Sequence, residues 1–164
     1  MEHRNRLTIR PYQEDADAAI ASYELPEGQA VYTSLPAEVI REYRDDSHNQ
    51  PFLIYAGDQL AGCFALYTDP SGNRYTKHPH AIVFKSFSID ARHQKKGYAL
   101  ETLQSLHGIA AKHVPDADEI ILTVHHTNTP AIRLYRKAGF EDRGLRYDGE
   151  HGEELIFHLD VKRG

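Results

Sequence analysis

The segment Gln94-Lys95-Lys96-Gly97-Tyr98-Ala99 sets a glycine and two lysines, with Arg92 close by, at a change of pattern. There an extended apolar stretch, Ala81 to Asp90, gives way to an amphipathic helix beginning near Gly97. A basic, glycine-bearing turn at a helix start presents unpaired backbone N–H groups and the positive end of the helix dipole, which together attract an anion. The chemistry it suits is the cradling of a phosphate. It is not a Walker loop, because the second glycine and the Lys-Ser/Thr end are missing. On these residues alone a solvated helix start remains an open account of the same cations.

A second candidate lies downstream. Asn128 stands where a strand turns into a helix, and Tyr135 follows seven residues on, two turns later and on the same face. Read without further context, Asn128 is a helix N-cap, and Tyr135 packs a core that Ile132 and Leu134 could equally fill.

Other chemistries find less support. Eleven histidines invite a metal reading, but there is no His-Glu-x-x-His, no set of thiolates, and neighbouring strand residues such as His125 and His126 point to opposite faces unless the strand ends there. No metal is expected. The Gly-x-Ser-x-Gly elbow of serine hydrolases is absent, and no Rossmann glycine pattern follows Leu7 to Pro11 or Phe52 to Ala56. Cys63, the single cysteine, excludes an internal disulfide and falls in an apolar alternating run, where a buried side chain is expected rather than a nucleophile. It points to a reducing, cytoplasmic setting.

These residues need a scaffold, and 164 residues suffice for one domain spanning 1–164 with a real core. Hydrophobic residues at 40% and charged residues at 26% place the chain among globular proteins. The N-terminal stretch from Met1 to Arg10 is polar, and no apolar run reaches the roughly 18 residues of a membrane span, so neither targeting nor anchoring is expected. A formal net charge of -5 argues against nucleic-acid binding, which depends on neutralising many phosphates. An acidic surround with a local basic site suits an anionic cofactor and a cationic second substrate.

In order, Leu7 to Pro11 reads as a strand and Glu14 to Tyr23 as a helix, broken by Pro26 and Gly28. Pro36 to Arg44 reads as a second helix with proline in its first turn. Between them, the polar and aromatic segment Gln29 to Leu35 is either a substrate-facing loop or a plain connector. Pro51 to Ala56 and Leu60 to Tyr67 form a hairpin around Gly57-Asp58. A loop from Thr68 to His80 leads to the Ala81 to Asp90 strand. Leu100, Leu103, Leu106, Ile109 and Ala110 then mark one buried helical stripe ending before Pro115. Glu119 to His125 is a strand, Asn128 to Ala138 a helix stopped by Gly139, and Phe140 to Tyr147 with Glu154 to Val161 a closing pair of strands. The order β-α-α-β-β-β-α-β-α-β-β describes an α/β fold with a mixed sheet.

Two segments, taken together, resemble the GNAT superfamily of acyl-CoA-dependent N-acetyltransferases. Phe87 to Ala99 is similar to the family's strand followed by Gln/Arg-x-x-Gly-x-Gly/Ala. Leu122 to Phe140, through Asn128, Ala131, Tyr135 and Gly139-Phe140, is similar to its Asn-x-x-Ala-x-x-x-Tyr-x-x-x-Gly-Phe element. The resemblance implies a GNAT-like domain whose central strands splay to form an acyl-CoA cleft. It implies that the backbone from Gln94 through Lys95, Lys96, Gly97, Tyr98, Ala99 and Leu100 holds the pyrophosphate of coenzyme A. Phe87, Ser88 and Ile89 would pair with the pantetheine arm as an added strand does. Asn128 would hydrogen-bond to that arm.

The activity implied is transfer of an acetyl group from acetyl-CoA to a primary amine by direct attack. Tyr135 would protonate the departing thiolate as general acid, and a backbone N–H near Ile89 would stabilise the oxyanion. The positions where some relatives carry a basic glutamate are Val83 and Thr123 here, so neither serves. His125 is a weak candidate base, with Glu24, Glu27, His80 and a solvent relay also open. The acceptor expected is a small molecule of polyamine, amino-sugar or amino-acid type, with Tyr32 and Thr33 as candidate contacts. Acetylation of a protein N-terminus or lysine is the alternative, and a non-catalytic acyl-CoA sensor the alternative of another class. A homodimer, as often in relatives, would use the closing hairpin or an edge strand.

Overall fold

A computed structural model describes residues 7–29 and 32–161. Residues 1–6, 162–164, Ala30 and Val31 lie outside the described residues, so part of the N-terminal stretch and two positions of the Gln29–Leu35 segment are not characterised. The strands are β1 (Leu7–Pro11), β2 (Asn49–Ala56), β3 (Gln59–Tyr67), β4 (Ala81–Ile89), β5 (Glu119–His125), β6 (Glu141–Gly149) and β7 (Gly152–Asp160). The helices are α1 (Asp17–Ala21), α2 (Pro36–Asp45), α3 (Tyr98–Gln104), α4 (Leu106–His113) and α5 (Thr129–Lys137). The sheet is mixed and open, in the order β1-β2-β3-β4-β5-β7-β6.

Two compact units divide the chain, one holding the described residues up to Leu66 together with Ser86–Thr102, the other Tyr67–Lys85 together with the described residues from Leu103 onward. In the first, β1 runs antiparallel to β2, from Leu7 opposite Ala56 to Pro11 opposite Phe52. Residues 52–55 of β2 are all buried, which is why this strand reads as a continuous apolar run rather than an alternation. Leu53 and Tyr55 join Cys63 and Ala65 of β3 under Ala16, Ile20 and Tyr23 and under Val39 and Ile40 of α2. Phe52 stacks on Phe64 at 5.2 Å, and Phe64 meets Phe87 of β4 edge-on at 6.5 Å. Burying aromatic and branched side chains of this size contributes about 1.5–3 kcal/mol each.

The second unit is built on β5 and β7, antiparallel from Glu119 opposite Asp160 to His125 opposite Glu154. Ile120, Leu122 and Val124 on β5 and Phe157 and Leu159 on β7 are buried, as are Leu106 and Ala110 of α4. β6 pairs with β7 on the other side, its register slipping between Asp142 and Arg146. Parallel pairing of β4 with β5 covers Ala81–Val83 against Glu119–Ile121.

The helical stripe from Gly97 proves to be two helices, α3 and α4. Ser105 between them keeps φ -85° and ψ -8°, so the helical backbone continues while the hydrogen-bonded ladder is interrupted. The first helix is also shorter than its pattern, because Glu14–Ala16 winds as a 3₁₀ turn before α1. Ser86, inside β4, has φ 59°, a left-handed kink with no signal in its residue type.

Gly62 of β3 marks a close approach of backbone to backbone. A Cβ there would stand 2.8 Å from the Ser88 carbonyl oxygen, 2.8 Å from Ile89 Cδ1 and 2.9 Å from Ile54 Cδ1. The carbonyl cannot move without moving β4. Gly62→Ala is expected to destabilise the protein by about 1–3 kcal/mol, read as a lower urea midpoint at unchanged slope; an unchanged midpoint would show that β4 is free to shift.

Candidate acyl-CoA site

The end of β4 is anchored by a buried carboxylate. Asp90 is 0% exposed, and its side chain accepts from the Arg92 N–H (2.8 Å), the Glu24 N–H (3.1 Å), Arg92 Nε (2.9 Å) and Arg92 Nη2 (2.7 Å). Burial by itself would push the Asp90 carboxyl up, but the Arg92 guanidinium and the two backbone N–H donors outweigh it and hold the group below the usual carboxylate range. Asp90 N–H donates to Ala61 O and Ala91 N–H to Glu24 O, so the loop after α1, the hairpin strand β3 and the end of β4 meet at this residue. Arg92 also donates to Ser22 O at 2.7 Å. Arg92 is therefore a structural cation and not one of the charges open to a ligand.

Beyond the 3₁₀ turn Ala91–His93, the chain takes up an anion-receptive shape. The Gln94 side-chain amide donates to Ile89 O at 2.9 Å and ties the turn back to the strand. Lys95 has φ 62°, Lys96 is not among the left-handed residues, and Gly97 has φ 78°, after which α3 begins and Glu101 N–H donates to Gly97 O. Alternation of left- and right-handed residues turns successive N–H groups toward one concavity, the nest that binds phosphate. Lys95 and Lys96 are exposed beside it, while Tyr98, Ala99 and Leu100 are half-buried. This backbone and its two cations fit a pyrophosphate.

Neighbouring groups are engaged in ways the sequence did not announce. Ser88 is buried with its hydroxyl 2.7 Å from the Tyr23 hydroxyl, and burial is the main reason the Tyr23 phenol is pushed far above its ordinary pKa. The Ile89 carbonyl already accepts from the Gln94 amide at 2.9 Å, which leaves it one further lone pair. Tyr32 and Thr33 both donate their N–H groups to Gln29 O; Tyr32 is exposed, and Thr33 Oγ1 is buried without a partner among the described residues.

In the second unit Asn128 caps α5, its side-chain oxygen accepting from Ala131 N–H at 3.4 Å. The cap uses the oxygen only, which leaves the side-chain NH2 to face a ligand. Two turns along, the Tyr135 ring packs edge-on against Phe140 (5.9 Å) and Phe157 (6.5 Å). Burial raises the Tyr135 pKa, so its hydroxyl stays protonated at neutral pH.

His125 ends β5. Its Nε2 lies 2.8 Å from His151 O and must carry the proton, since a carbonyl can only accept; its Nδ1 then accepts from Thr127, whose N–H is 3.2 Å and whose Oγ1 is 2.6 Å away. Because the strand stops here, the His126 ring is able to stack beside it at 4.6 Å. Among the described residues no group of histidine, cysteine and carboxylate side chains could hold a metal ion, and no helix is long and apolar enough to cross a membrane. Cys63 is buried, which pushes its thiol up to about 12 and leaves it unreactive.

The acetyltransferase (GNAT) family model matches residues 17–140, a span that includes both the turn and the α5 element. The chain belongs to the GNAT acetyltransferase family. The uncharacterized N-acetyltransferase YbbJ of Bacillus subtilis is 34% identical over 153 residues, 93% of this chain and 96% of that protein. Spermine/spermidine N(1)-acetyltransferase of the same organism is 27% identical over 149 residues, covering 88% and 94%. In fold, the chain matches the aminoglycoside acetyltransferase AAC(6')-Ib in complex with coenzyme A at a TM-score of 0.74 over 94% of each chain, with 18% identity. This GNAT protein is an N-acetyltransferase, with acetyl-CoA as its co-substrate.

Two expectations follow for the anchored turn. Asp90→Asn should cost about 2 kcal/mol at pH 7, a figure reduced for the half-exposure of Arg92. Since the folded pKa of Asp90 is depressed, its contribution is complete above the unfolded value of about 3.9 and fades as pH falls through the lower folded value. Urea unfolding of the two proteins should thus converge below about pH 4. Convergence at pH 6 would contradict the depressed pKa. Gly97→Glu puts a side chain at φ 78° and a negative charge in the nest, and should weaken acetyl-CoA binding more than about tenfold while costing about 1–2 kcal/mol of folding stability, too little to unfold the protein. Calorimetry that finds affinity retained would remove the turn from the site.

Proposed function

We propose that this N-acetyltransferase acts on a small, cationic amine of the polyamine type, with the nest at Lys95–Gly97 taking the coenzyme A pyrophosphate and Tyr135 acting as general acid. The observation that carries the acceptor reading is the β6–β7 hairpin, which gathers Asp148, Glu150, Glu153 and Glu154 within seven residues. Such a field concentrates polycations and repels acidic acceptors. The likeness over most of the chain to a spermine/spermidine acetyltransferase supports the same choice. The reading also places the enzyme in the cytoplasm, which its reduced buried thiol suits, as a single acetyltransferase domain forming a homodimer through the edge strand β6, where Leu145 is exposed.

In this mechanism the residues Phe87–Ile89 align the pantetheine arm by strand-like pairing, the Ile89 N–H stabilises the carbonyl oxygen as it gains charge, and Asn128 donates its amide to the arm. Tyr135 then gives its proton to the departing thiolate. A phenol of raised pKa is a poor acid toward a thiol in water, but the same apolar surroundings raise the thiolate's proton affinity too, and the transfer stays feasible. The amine must lose its own proton first. Val83 and Thr123 carry no base, and the His125 lone pair already receives the Thr127 donors. Glu24 lies 3.4 Å from Arg92. Deprotonation is assigned to a solvent relay, with Glu27 and His80 the side-chain alternatives.

Thiol release from acetyl-CoA, measured with spermidine, an amino sugar, lysine and short peptides, tests both parts. Spermidine should be acetylated, and Tyr135→Phe should lower its kcat about 100-fold while acetyl-CoA affinity holds. Equal kcat across pH in a folded Tyr135→Phe variant would remove the general acid. Peptides acetylated in place of spermidine would make the protein a protein acetyltransferase, and acetyl-CoA binding without transfer would make it a sensor.

A further inference from the structure

One cation sits where the chain is most acidic and has no carboxylate partner among the described residues. Arg74, exposed in the loop between β3 and β4, rests its Nη1 3.4 Å from the Tyr147 hydroxyl, the long end of the hydrogen-bond range. Tyr147 in turn meets Tyr75 edge to face at 4.8 Å and 78°. On β7 its cross-strand neighbour is Glu154, which also lies opposite His125 of β5, so Tyr147 and Glu154 share one face of the sheet. Thr123 of β5 lies on that face as well, beside the Tyr75 hydroxyl. A side chain on Gly149 would run into the Glu154 carboxylate, so the hairpin backbone folds closely over that group.

The two phenols beside the Arg74 guanidinium, with the Glu154 carboxylate next to Tyr75 and Tyr147 rather than against Arg74, form a seat suited to a cation. Burial, followed by the charges of Tyr147 and Glu154, pushes the Tyr75 phenol up, so the ring is neutral and its oxygen available as an acceptor. Asp148 and Glu153 pair on the opposite face of the hairpin, Glu153 lying 3.9 Å from Arg146, so Glu154 is the carboxylate that shares the face of Tyr147. A guanidinium held there by one long bond to a phenol is placed to yield. We propose that Tyr75, Tyr147 and Glu154 form the subsite for a second ammonium of the acceptor, and that Arg74 is the chain's own cation occupying it until a di- or polycationic amine displaces it. This rests on the amine acetyltransferase reading above and makes Arg74 a specificity-determining residue: it competes with the acceptor's distal charge, so it lowers affinity for di- and polycationic amines and leaves monocations untouched.

The test compares Arg74→Gln with Lys77→Gln, which removes an exposed charge from the same loop, and with Glu154→Gln. Spermidine and butylamine are the probes, each followed by calorimetry and by KM. Arg74→Gln should tighten spermidine about two- to fivefold, the range expected for one weak surface cation contact, and leave butylamine and acetyl-CoA unchanged. Glu154→Gln should loosen spermidine by a similar factor, and Lys77→Gln should leave it within about 1.5-fold. Spermidine unmoved or loosened by Arg74→Gln, spermidine tightened equally by Lys77→Gln, or no spermidine binding at all overturns the subsite. If spermidine binds and follows Arg74 but no amine is acetylated, the subsite stands and the transferase reading falls. If amines are acetylated with affinities indifferent to Arg74 and Glu154, the reverse holds.

Discussion

The burial of the Asp90 carboxylate constrains the first unit more than any other single interaction. An ion taken fully out of water is tolerated only when its oxygens are saturated with donors, and here four N–H bonds from Arg92 and Glu24 provide that. Because two of those donors are backbone groups, the charge fixes main chain rather than side chains. The loop after α1 cannot lift away without stranding a carboxylate in the interior. The end of β4 is located for the same reason, through Asp90 N–H on the Ala61 carbonyl.

That anchoring explains how an exposed turn can keep a shape that costs free energy. Lys95 is left-handed despite its Cβ, a conformation about 1–2 kcal/mol above the right-handed one. The Asp90 network on one side, the Gln94 amide on Ile89 O and the first turn of α3 on the other leave it little alternative. Strain held in this way is the usual mark of a preorganised site. A turn held in this way would need no ordering before an anion bound to it.

What could be read from the residues divides along physical lines. All seven strands and the motif helix α5 were legible, most of the strands because burial on one or two faces leaves a period in the residue types, β6, which has no buried residue, by its place before the turn that closes on β7, and α5 by its cap, its proline and Gly139. The split of the long stripe into α3 and α4 was not, since Ser105 remains in helical φ and ψ and breaks only hydrogen bonds. Ser86 was silent as well: a left-handed serine in a strand is set by tertiary packing, and its neighbours look like any strand. The turn at Gln94–Ala99 was visible by composition, yet the role of the neighbouring Arg92 was not. The signal for its partner was the spacing Asp90-Ala91-Arg92, in which an aspartate can cap the turn that brings its own arginine home. Asn128 shows the opposite case, where the plain N-cap reading is observed and a ligand-facing use rests on the part of the side chain the cap does not need.

Charge is partitioned in a way that net charge conceals. The formal -5 is the balance of 19 basic and 24 acidic residues, and it hides a turn carrying Lys95 and Lys96 and a hairpin tip carrying Asp148, Glu150, Glu153 and Glu154, each with local consequences because exposed charges act over about 8 Å at physiological salt. A reaction that joins an anionic co-substrate to a cationic acceptor needs this separation, for a uniform surface of either sign would reject one of the two. The cations of the turn are lysines on an exposed backbone nest, suited to diffuse phosphate charge. Of the hairpin carboxylates, Glu154 stands with Tyr147 and Tyr75, whose rings can add an attraction for ammonium that high salt screens less than a bare ion pair. An ammonium held on that face would keep part of its attraction where a purely ionic patch would lose it.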